Sequence, residues 1–327
     1  AATDSLMNRG DVIIVASVSC IYGLSSPEDY RDMLVSLHKG ERVDRDGVLR
    51  KLVDIQYARN DYEPSPGTFR VRGDTLDIFP SYAKIGIRVD FFGDEVEAIR
   101  RIDPLTGNPL AEMDTAIISP AKHFVMAQSK IEKALGSIRA ELDERVKWFE
   151  QNNKLLEAQR IRMRTEYDLE MLREVGYCSG IENYSRHLSG RAPGERPATL
   201  LDYFPKDFLT IIDESHVTVS QIRGMYNGDR SRKEMLVNYG FRLPSALDNR
   251  PMNYDEFMKA TGPILFTSAT PGPFEKDVSG RPIPQLIRPT GILDPPVQVR
   301  PLAGQIDDLI EEVRQRAERK ERTLVTT

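Results

Sequence analysis

Two apolar runs that end abruptly in polar residues restrict the fold of this chain more than any other feature. The first, "DFLTIIDES" (207–215), ends in the adjacent acids Asp213 and Glu214. Burying a carboxylate is costly unless a partner compensates its charge, and burying two neighbouring ones costs more. Strands of parallel sheets carry ligand-binding groups at their carboxyl ends. The run therefore predicts a strand whose end faces a metal, a water or a phosphate.

The second run, "GPILFTSATPG" (262–272), ends in a turn rich in hydroxyl groups. Either run alone is typical of a strand followed by a solvated turn. Together and in this order they resemble the nucleotide-hydrolysis motifs of helicase-type ATPases, which implies ATP and Mg²⁺ as cofactors. By that resemblance Asp213 holds Mg²⁺ through water and Glu214 is the catalytic acid or base. The residues expected to couple nucleotide state to motion are Ser215, His216, Thr267, Ser268 and Thr270.

The phosphate-binding loop of such a site does not occur in these 327 residues, because no Gly directly precedes a Lys and G-x-x-x-x-G-K-[ST] is therefore absent. Without that lysine and its amide cradle, the β- and γ-phosphates have no anchor. The sequence opens without Met and closes on "RTLVTT", where a strand is predicted to begin. We therefore expect the middle of a larger protein, without the last helicase motifs and unable to hydrolyse ATP unaided.

The hydrophobic pattern changes several times along the chain. "VIIVASVSCI" (12–21) is a continuous β-branched run, which predicts a strand buried on both faces of a parallel sheet. Residues 33–126 alternate apolar and polar side chains between turns, which predicts an antiparallel meander. Residues 128–175 are helical in composition, with Gly176 as the expected C-cap. The proline-rich segment 281–301 predicts a linker.

These segments predict an α/β fold, in which part of a RecA-like parallel-sheet helicase motor carries an inserted antiparallel α+β domain and a helical insertion. No internal repeat is visible. The expected domains are a first motor segment at 1–32, the inserted domain at 33–126, the helical insertion at 127–205, the remainder of the first motor domain at 206–288, and a linker with the start of a second motor domain at 289–327.

Charge and cysteine content narrow the class of protein. A net charge of −5 excludes a basic arm that coats nucleic acid, although a local groove lined by arginine is compatible with it. Cys20 and Cys178 have no Cys or His at ligand spacing, so neither a disulfide framework nor a zinc site is predicted. No run approaches about 18 apolar residues and no signal peptide is visible, which predicts a soluble cytoplasmic protein without membrane contact.

Longer motifs indicate the family. They are "SVSCIYGLSSPEDY", "GYCSGIENYSRHLSGRAPGE", "TLLDYFP" and "NYGFRLPSALDNRP", together with "DESH" and "TSATPG". Over essentially all 327 residues the chain resembles the UvrB family, the damage-verifying subunits of the bacterial nucleotide-excision-repair excinuclease. The transcription-repair coupling factor shares the "RVRGD" and "DIFP" sequence pattern but lacks the "DESH" and "GIENYSR" motifs. The resemblance implies a helicase-fold ATPase that UvrA loads onto damaged DNA and that recruits UvrC.

The inserted domain presents a polar sheet face. The alternation in "TFRVRGD" and "IRVDFF" places Arg70, Arg72, Arg88 and Asp90 opposite the apolar residues of the same strands, and Arg59 is expected nearby. Such a face is commonly no more than solvated. The resemblance implies instead that these residues dock UvrA, since a guanidinium makes bidentate contacts with carboxylates.

Candidate DNA contacts follow the helical segment. Aromatic and basic residues mix in "GYCSGIENYSRHLSGR" and "YGFRLPSA", a composition suited to stacking bases and holding phosphates. Salt bridges on a helix surface and core packing are equally open interpretations. The resemblance favours Arg164, Glu182, Arg186 and Arg242 along the DNA path. A rival interpretation of the whole chain is a non-catalytic interaction module that binds UvrA.

Overall fold

The structure, a computed structural model, describes residues 2–287 and 290–326. The chain divides into two compact units, Ala1–Val278 and Ser279–Thr327. Helices of the first unit are α1 (Ala2–Asn8), α2 (Pro27–Asp32), α3 (Arg45–Asp54), α4 (Gln128–Gln151), α5 (Leu155–Val175), α6 (Ser185–Ser189), α7 (Ser215–Asn238), α8 (Tyr254–Ala260) and α9 (Pro273–Val278). Its strands are β1 (Val35–His38), β2 (Ala58–Arg59), β3 (Thr68–Arg72), β4 (Thr75–Phe79), β5 (Gly86–Phe92), β6 (Glu95–Ile102), β7 (Pro109–Met113), β8 (Thr115–Ile118), β9 (Thr210–Ile212) and β10 (Ile264–Phe266).

The antiparallel meander predicted within 33–126 is confirmed. Strands pair in the order β2-β3-β4-β5-β6-β7, all antiparallel except the parallel pair β2–β3, while β1 and β8 form a separate antiparallel pair. Alternation buries the apolar side chains of these strands, among them Leu76, Ile78 and Val89, against residues of α3. The opposite sheet face carries the charged residues of the same strands.

Two long helices follow, as the composition predicted. Side chains of α4 recur at helical spacing in the core (Ile131, Ala134, Ile138, Leu142, Val146 and Phe149), where they pack against α5. Helix α5 ends at Gly176, whose φ of 71° is left-handed and whose amide donates to the Leu172 carbonyl. Glycine adopts this conformation without the steric penalty of a Cβ, so the predicted cap is confirmed.

The strand predicted over 12–21 is wrong. Residues 12–17 have no regular structure, Val18–Ile21 form a 3-10 turn, and the side chains of Ile13 and Val15 are 93% and 96% exposed. A strand buried on both faces lies within a parallel sheet that helices cover on each side. Among the described residues, the parallel sheet consists of β9 and β10, and residues 12–17 do not join it. The strand expected to begin within "RTLVTT" is also not formed over 322–326.

The parallel pair β9–β10 packs on a small core of its own. Ile212 of β9 packs with Ile21, Met252 and residues of α7 and α8. Because the parallel sheet consists of these two strands in the portion that the structure describes, the RecA-like motor stays a prediction.

Helix α7 was not predicted, and it connects two regions of the first unit. Its 24 residues begin at the acidic motif and end against the α4–α5 hairpin. There Arg145 of α4 donates through Nη2 to the Val237 carbonyl at 3.1 Å. A Cβ on Gly240 would lie 2.5 Å from the Glu157 carbonyl oxygen, so the chain approaches α5 where only glycine fits.

The second unit contains helix α10 (Gln305–Glu318). The described residues of segment 281–301 have neither helix nor strand, as expected of a linker; Arg288 and Pro289 lie outside the described residues. Across both described ranges, no helix combines the length and the apolarity needed to cross a bilayer.

Candidate functional sites

The acids that follow β9 and the hydroxyl turn that follows β10 lie side by side. Ile212 is opposite Phe266 in the parallel register. The Thr267 amide donates to the Ile212 carbonyl at 3.0 Å, and the Thr267 hydroxyl donates to Asp213 Oδ1 at 2.9 Å. The Ser215 amide donates in return to the Thr267 carbonyl at 3.0 Å. The two sequence motifs thus form one site at the carboxyl edge of the strand pair.

Glu214 occupies an unusual position in this site. Its φ of 44° and ψ of 51° are left-handed, a conformation that costs a residue other than glycine about 1–2 kcal/mol. Such strain concentrates at functional sites, where the surrounding structure enforces it. The side chain is 61% exposed, with Oε2 at 3.6 Å from His216 Nδ1. The carboxylate is therefore open to a ligand.

His216 links α7 to the hydroxyl turn. Its Nδ1 lies 2.8 Å from the Ser268 hydroxyl, and its Nε2 lies 3.4 Å from the Thr270 hydroxyl. The Thr270 amide donates to Ser268 Oγ at 3.0 Å, which fixes the turn. All five residues predicted to couple this site to motion are therefore neighbours.

Sequence reasoning missed Glu275, an almost completely buried acid of α9 beside this site. Burial alone would raise the pKa of its carboxyl. Its own amide, the nearby Ser215 and the Gly272 amide, together with the charge of His216, nevertheless hold that pKa below its ordinary value. Its position in "TPGPFE", directly after the hydroxyl turn, was the available signal.

A row of charged residues crosses the polar face of the six-stranded sheet. Cross-strand partners follow one another along it in the order Arg70, Asp77, Arg88, Arg100 and Glu112. Asp77 Oδ2 accepts from Arg70 Nε at 2.8 Å and from Arg88 Nη2 at 3.0 Å, while Oδ1 accepts from Arg88 Nε at 2.7 Å. We call Arg70, Asp77 and Arg88 the arginine–aspartate cluster.

This cluster is an internal support rather than an open surface. The side chains of Arg70 and Asp77 are 9% and 2% exposed. Burial would raise the pKa of Asp77, but hydrogen bonds from Arg88 and Arg70 outweigh it and hold the pKa below its ordinary value. Arg88 also donates to the Gly107 carbonyl at 3.3 Å. The expectation that Arg70 offers a surface for contact is thus corrected by its burial.

The accessible part of the predicted docking face lies at its edge. Arg72 is exposed, and the Arg59 side chain is 54% exposed while its Nε donates to Asp61 at 2.9 Å. Asp90 accepts from the Thr75 hydroxyl at 2.8 Å and pairs with Arg100. Arg59 and Arg72 therefore offer the most accessible guanidinium groups among the residues predicted to bind a partner.

Two of the residues predicted to contact DNA share one neighbourhood. Arg164 donates to Asp168 Oδ2 at 2.9 Å and to the Ser179 carbonyl at 2.8 Å. The same Asp168 oxygen accepts from the Tyr184 hydroxyl at 2.7 Å. Glu182 lies in the 3-10 turn that contains Tyr184. The half-exposed guanidinium of Arg164 is thus fixed in orientation but remains accessible.

Arg186 belongs to a separate ionic cluster. It donates to Asp248 at 2.8 Å and to Glu141 at 3.4 Å, and its side chain is 16% exposed. Glu141 also accepts from His187 Nε2 at 2.7 Å and from the Ser245 amide at 2.8 Å. The geometry of Arg186 matches the salt-bridge interpretation.

Arg242, the fourth candidate, is half-buried and donates to the carbonyl of Phe241. The neighbouring Phe241 ring lies under the guanidinium of Arg160, 4.3 Å from it. An aromatic ring that stacks with arginine and remains partly exposed is a surface on which a base can stack.

The fold and the sites define a class: a mixed α/β protein with an acid–hydroxyl site at the ends of parallel strands and a separate antiparallel domain. Comparison with protein families identifies the domains. Residues 35–124 match the UvrB interaction domain, and residues 129–190 match the UvrB third helical domain.

Curated relatives match the whole chain. UvrABC system protein B of Carboxydothermus hydrogenoformans is 58% identical over 328 residues, covering 100% of this chain and 50% of that protein. The proteins of the same name from Chloroflexus aggregans and Bacillus subtilis are 60% and 59% identical, again over 100% of this chain and over 49% and 50% of the relatives. The chain belongs to the UvrB family, and it spans about half the length of the curated relatives it matches.

Proposed function

We propose that this chain is part of the damage-recognition and verification subunit of the nucleotide-excision-repair excinuclease. In this proposal a helicase-like ATPase is loaded onto damaged DNA by UvrA and recruits UvrC. The two UvrB domains and the similarity to UvrABC system protein B support it. The observation that carries the ATPase part is the hydrogen bond from Thr267 to Asp213, which joins two motifs from distant parts of the chain.

In the nucleotide site, Asp213 would hold Mg²⁺ through water, and Glu214 would orient or deprotonate the attacking water. Magnesium prefers oxygen ligands and retains several waters, so one exposed carboxylate beside a hydroxyl fits it without a dedicated cage. The ion would neutralise charge on the phosphates. Ser215, His216, Thr267, Ser268 and Thr270 would report the occupancy of the site to α7, because they join its first turn to the hydroxyl turn.

The docking part of the proposal concerns the interaction domain. Arg59 and Arg72, with Asp90, would contact UvrA, while Arg70 and Arg88 keep the face rigid through Asp77. Guanidinium groups suit a carboxylate-bearing partner because they donate in a planar fork.

For DNA, we propose that Arg164 and Arg242 line the path, with Glu182 beside Arg164. Arg186 would then act indirectly, since its guanidinium already binds Asp248 and Glu141. DNA that follows this path would meet the Arg160–Phe241 stack.

A second candidate function is a non-catalytic module that binds UvrA. The interaction domain at 35–124 and the absence of G-x-x-x-x-G-K-[ST] from these 327 residues favour it. For the same reason we infer that these residues do not hydrolyse ATP by themselves.

The experiment compares ATP hydrolysis by the full-length protein that contains these residues with hydrolysis by its Glu214→Gln variant, both with UvrA and damaged DNA. Loss of a positioned acid or base typically costs about 10²-fold or more, so the variant should lose at least that factor over the rate of UvrA and DNA alone. Glu132→Gln, at an exposed position of α4 outside the proposed sites, is the matched control. A Glu214→Gln protein that turns over ATP at the original rate would refute the catalytic assignment and favour the binding module.

A further inference from the structure

Tyr62 is the most exposed aromatic side chain near the accessible arginines of the interaction domain. It lies in the loop between β2 and β3, and 94% of its surface is open to solvent. The flanking loop sequence is "NDYEPSPG" (60–67). A single exposed aromatic residue is unremarkable by itself, so the surroundings of Tyr62 decide whether it has a role.

The loop holds Tyr62 in place from both sides. Asn60 Oδ1 accepts from the amides of Tyr62 and Glu63, both at 3.1 Å, and the Asn60 amide donates to the Phe69 carbonyl at 2.8 Å. On the far side the Thr68 hydroxyl donates to the Ser65 carbonyl at 2.7 Å. Two prolines further restrict the chain between them. The tyrosine is thus presented outward by a fixed backbone, which reduces the entropy lost when a partner binds.

Two arginines lie near the loop, which itself carries the acids Asp61 and Glu63. Asp61, next to Tyr62, accepts from the Val71 amide at 2.9 Å and from Arg59 Nε at 2.9 Å. The Val71 amide and the charges of Arg59 and Arg72 hold the pKa of Asp61 below its ordinary value. Arg59 and Arg72 therefore both lie near Asp61, and the exposed Tyr62 is the next residue in the chain.

We propose that Tyr62 is the aromatic anchor of a protein-docking surface that includes Arg59 and Arg72. Tyrosine and arginine dominate the energetics of protein interfaces, since both bury large areas and donate hydrogen bonds. The partner is a protein surface with an apolar pocket for the ring, bordered by carboxylates for the two guanidiniums. This inference rests on the proposed function, in which that partner is UvrA.

The test measures the Kd of this chain for purified UvrA. Tyr62→Ala should weaken binding about 30-fold, the loss typical of an interface anchor, whereas Tyr62→Phe should stay within a few-fold of the original. Leu105→Ala is the matched control, because Leu105 is 97% exposed on the β6–β7 turn of the same domain. Neither alanine variant should change the midpoint of urea unfolding, since neither side chain packs in the core.

Arg72→Glu separates this inference from the docking proposal. If Arg72→Glu weakens UvrA binding and Tyr62→Ala does not, the assignment of Tyr62 as an anchor is wrong, whereas the proposal that UvrA docks at Arg72 stands. If neither change affects UvrA binding, both are wrong. A Tyr62→Ala protein that loses affinity for single-stranded DNA and keeps its affinity for UvrA would also overturn the inference, because the loop would then belong to a nucleic-acid surface. Loss of UvrA binding in Tyr62→Ala alone would support the anchor and remove Arg72 from the docking face.

Discussion

Arg88 donates two parallel hydrogen bonds to Asp77, from Nε to Oδ1 at 2.7 Å and from Nη2 to Oδ2 at 3.0 Å. This fork geometry fixes both the distance and the plane of the two groups. Since Arg70 binds the same carboxylate from the opposite strand, one acid orients two arginines across three strands. Both arginines therefore depend on Asp77 for their orientation.

Replacing Asp77 should therefore destabilise the protein strongly. Removing one partner of a buried ion pair costs about 3–5 kcal/mol, because the remaining charge is left uncompensated. We expect Asp77→Asn to lower the free energy of unfolding by about 3 kcal/mol, measured by urea denaturation. Asp94→Asn, on the exposed β5–β6 turn, should stay within about 0.5 kcal/mol. Equal stability of the two variants would contradict the supporting role of Asp77.

The same acid predicts a pH dependence. The folded state lowers the pKa of Asp77, so its contribution is fully present above the unfolded-state value of about 3.9 and is lost as the pH falls through the folded-state pKa. The difference in unfolding free energy between the original protein and Asp77→Asn should be constant from pH 7 to about pH 5. Below about pH 4 it should shrink. A difference that grows on acidification would have the wrong sign for this mechanism.

Two glycines should respond in opposite directions to alanine. Gly240 has a φ of 71°, and a Cβ there would lie 2.5 Å from the Glu157 carbonyl oxygen, so Gly240→Ala should lose about 2 kcal/mol or more. Gly136 lies inside α4 with no heavy atom within 4 Å of the added Cβ, so Gly136→Ala should gain up to about 1 kcal/mol. Thermal unfolding of both variants tests this pair, and a stabilising Gly240→Ala would mean that α5 does not hold this close contact.

Relieving the backbone strain at Glu214 should stabilise the protein, which urea denaturation measures. Glycine adopts the left-handed conformation of this residue without strain, so Glu214→Gly should raise the free energy of unfolding by up to about 1 kcal/mol. The control, Glu234→Gly within α7, should lose about 1 kcal/mol. If both changes destabilise equally, the backbone at Glu214 is not strained.

Local features of the sequence predicted the elements that depend on local chemistry. The alternation of "TFRVRGD" determined which side of β3 is apolar, and Gly176 marked the end of α5. Both predictions used the pattern of consecutive residues, which period and turn chemistry determine. The proximity of Asp213 and Thr267 was instead implied by the resemblance to helicase-type motifs.

The predictions that failed depended on distant partners. Residues 12–17 are β-branched, but a buried strand also requires neighbours that sequence periodicity does not reveal. Arg70 was expected to be accessible because its strand alternates. In the structure it is buried and forms an ion pair with Asp77 on the adjacent strand. The available signal was the Asp in "TLDIF", a charged residue on the polar face of β4 that needed a cross-strand partner.

Helix α7 gives the molecule a lever. Its 24 residues extend about 36 Å at about 1.5 Å per residue. Ser215 at its first residue would be the pivot, and Arg145 binds its far end through the Val237 carbonyl. A tilt of roughly 10° about that pivot would sweep the far end through roughly 6 Å, given this length. If the proposed coupling holds, a sub-ångström adjustment around His216 and Ser268 would be amplified into a displacement of the α4–α5 hairpin.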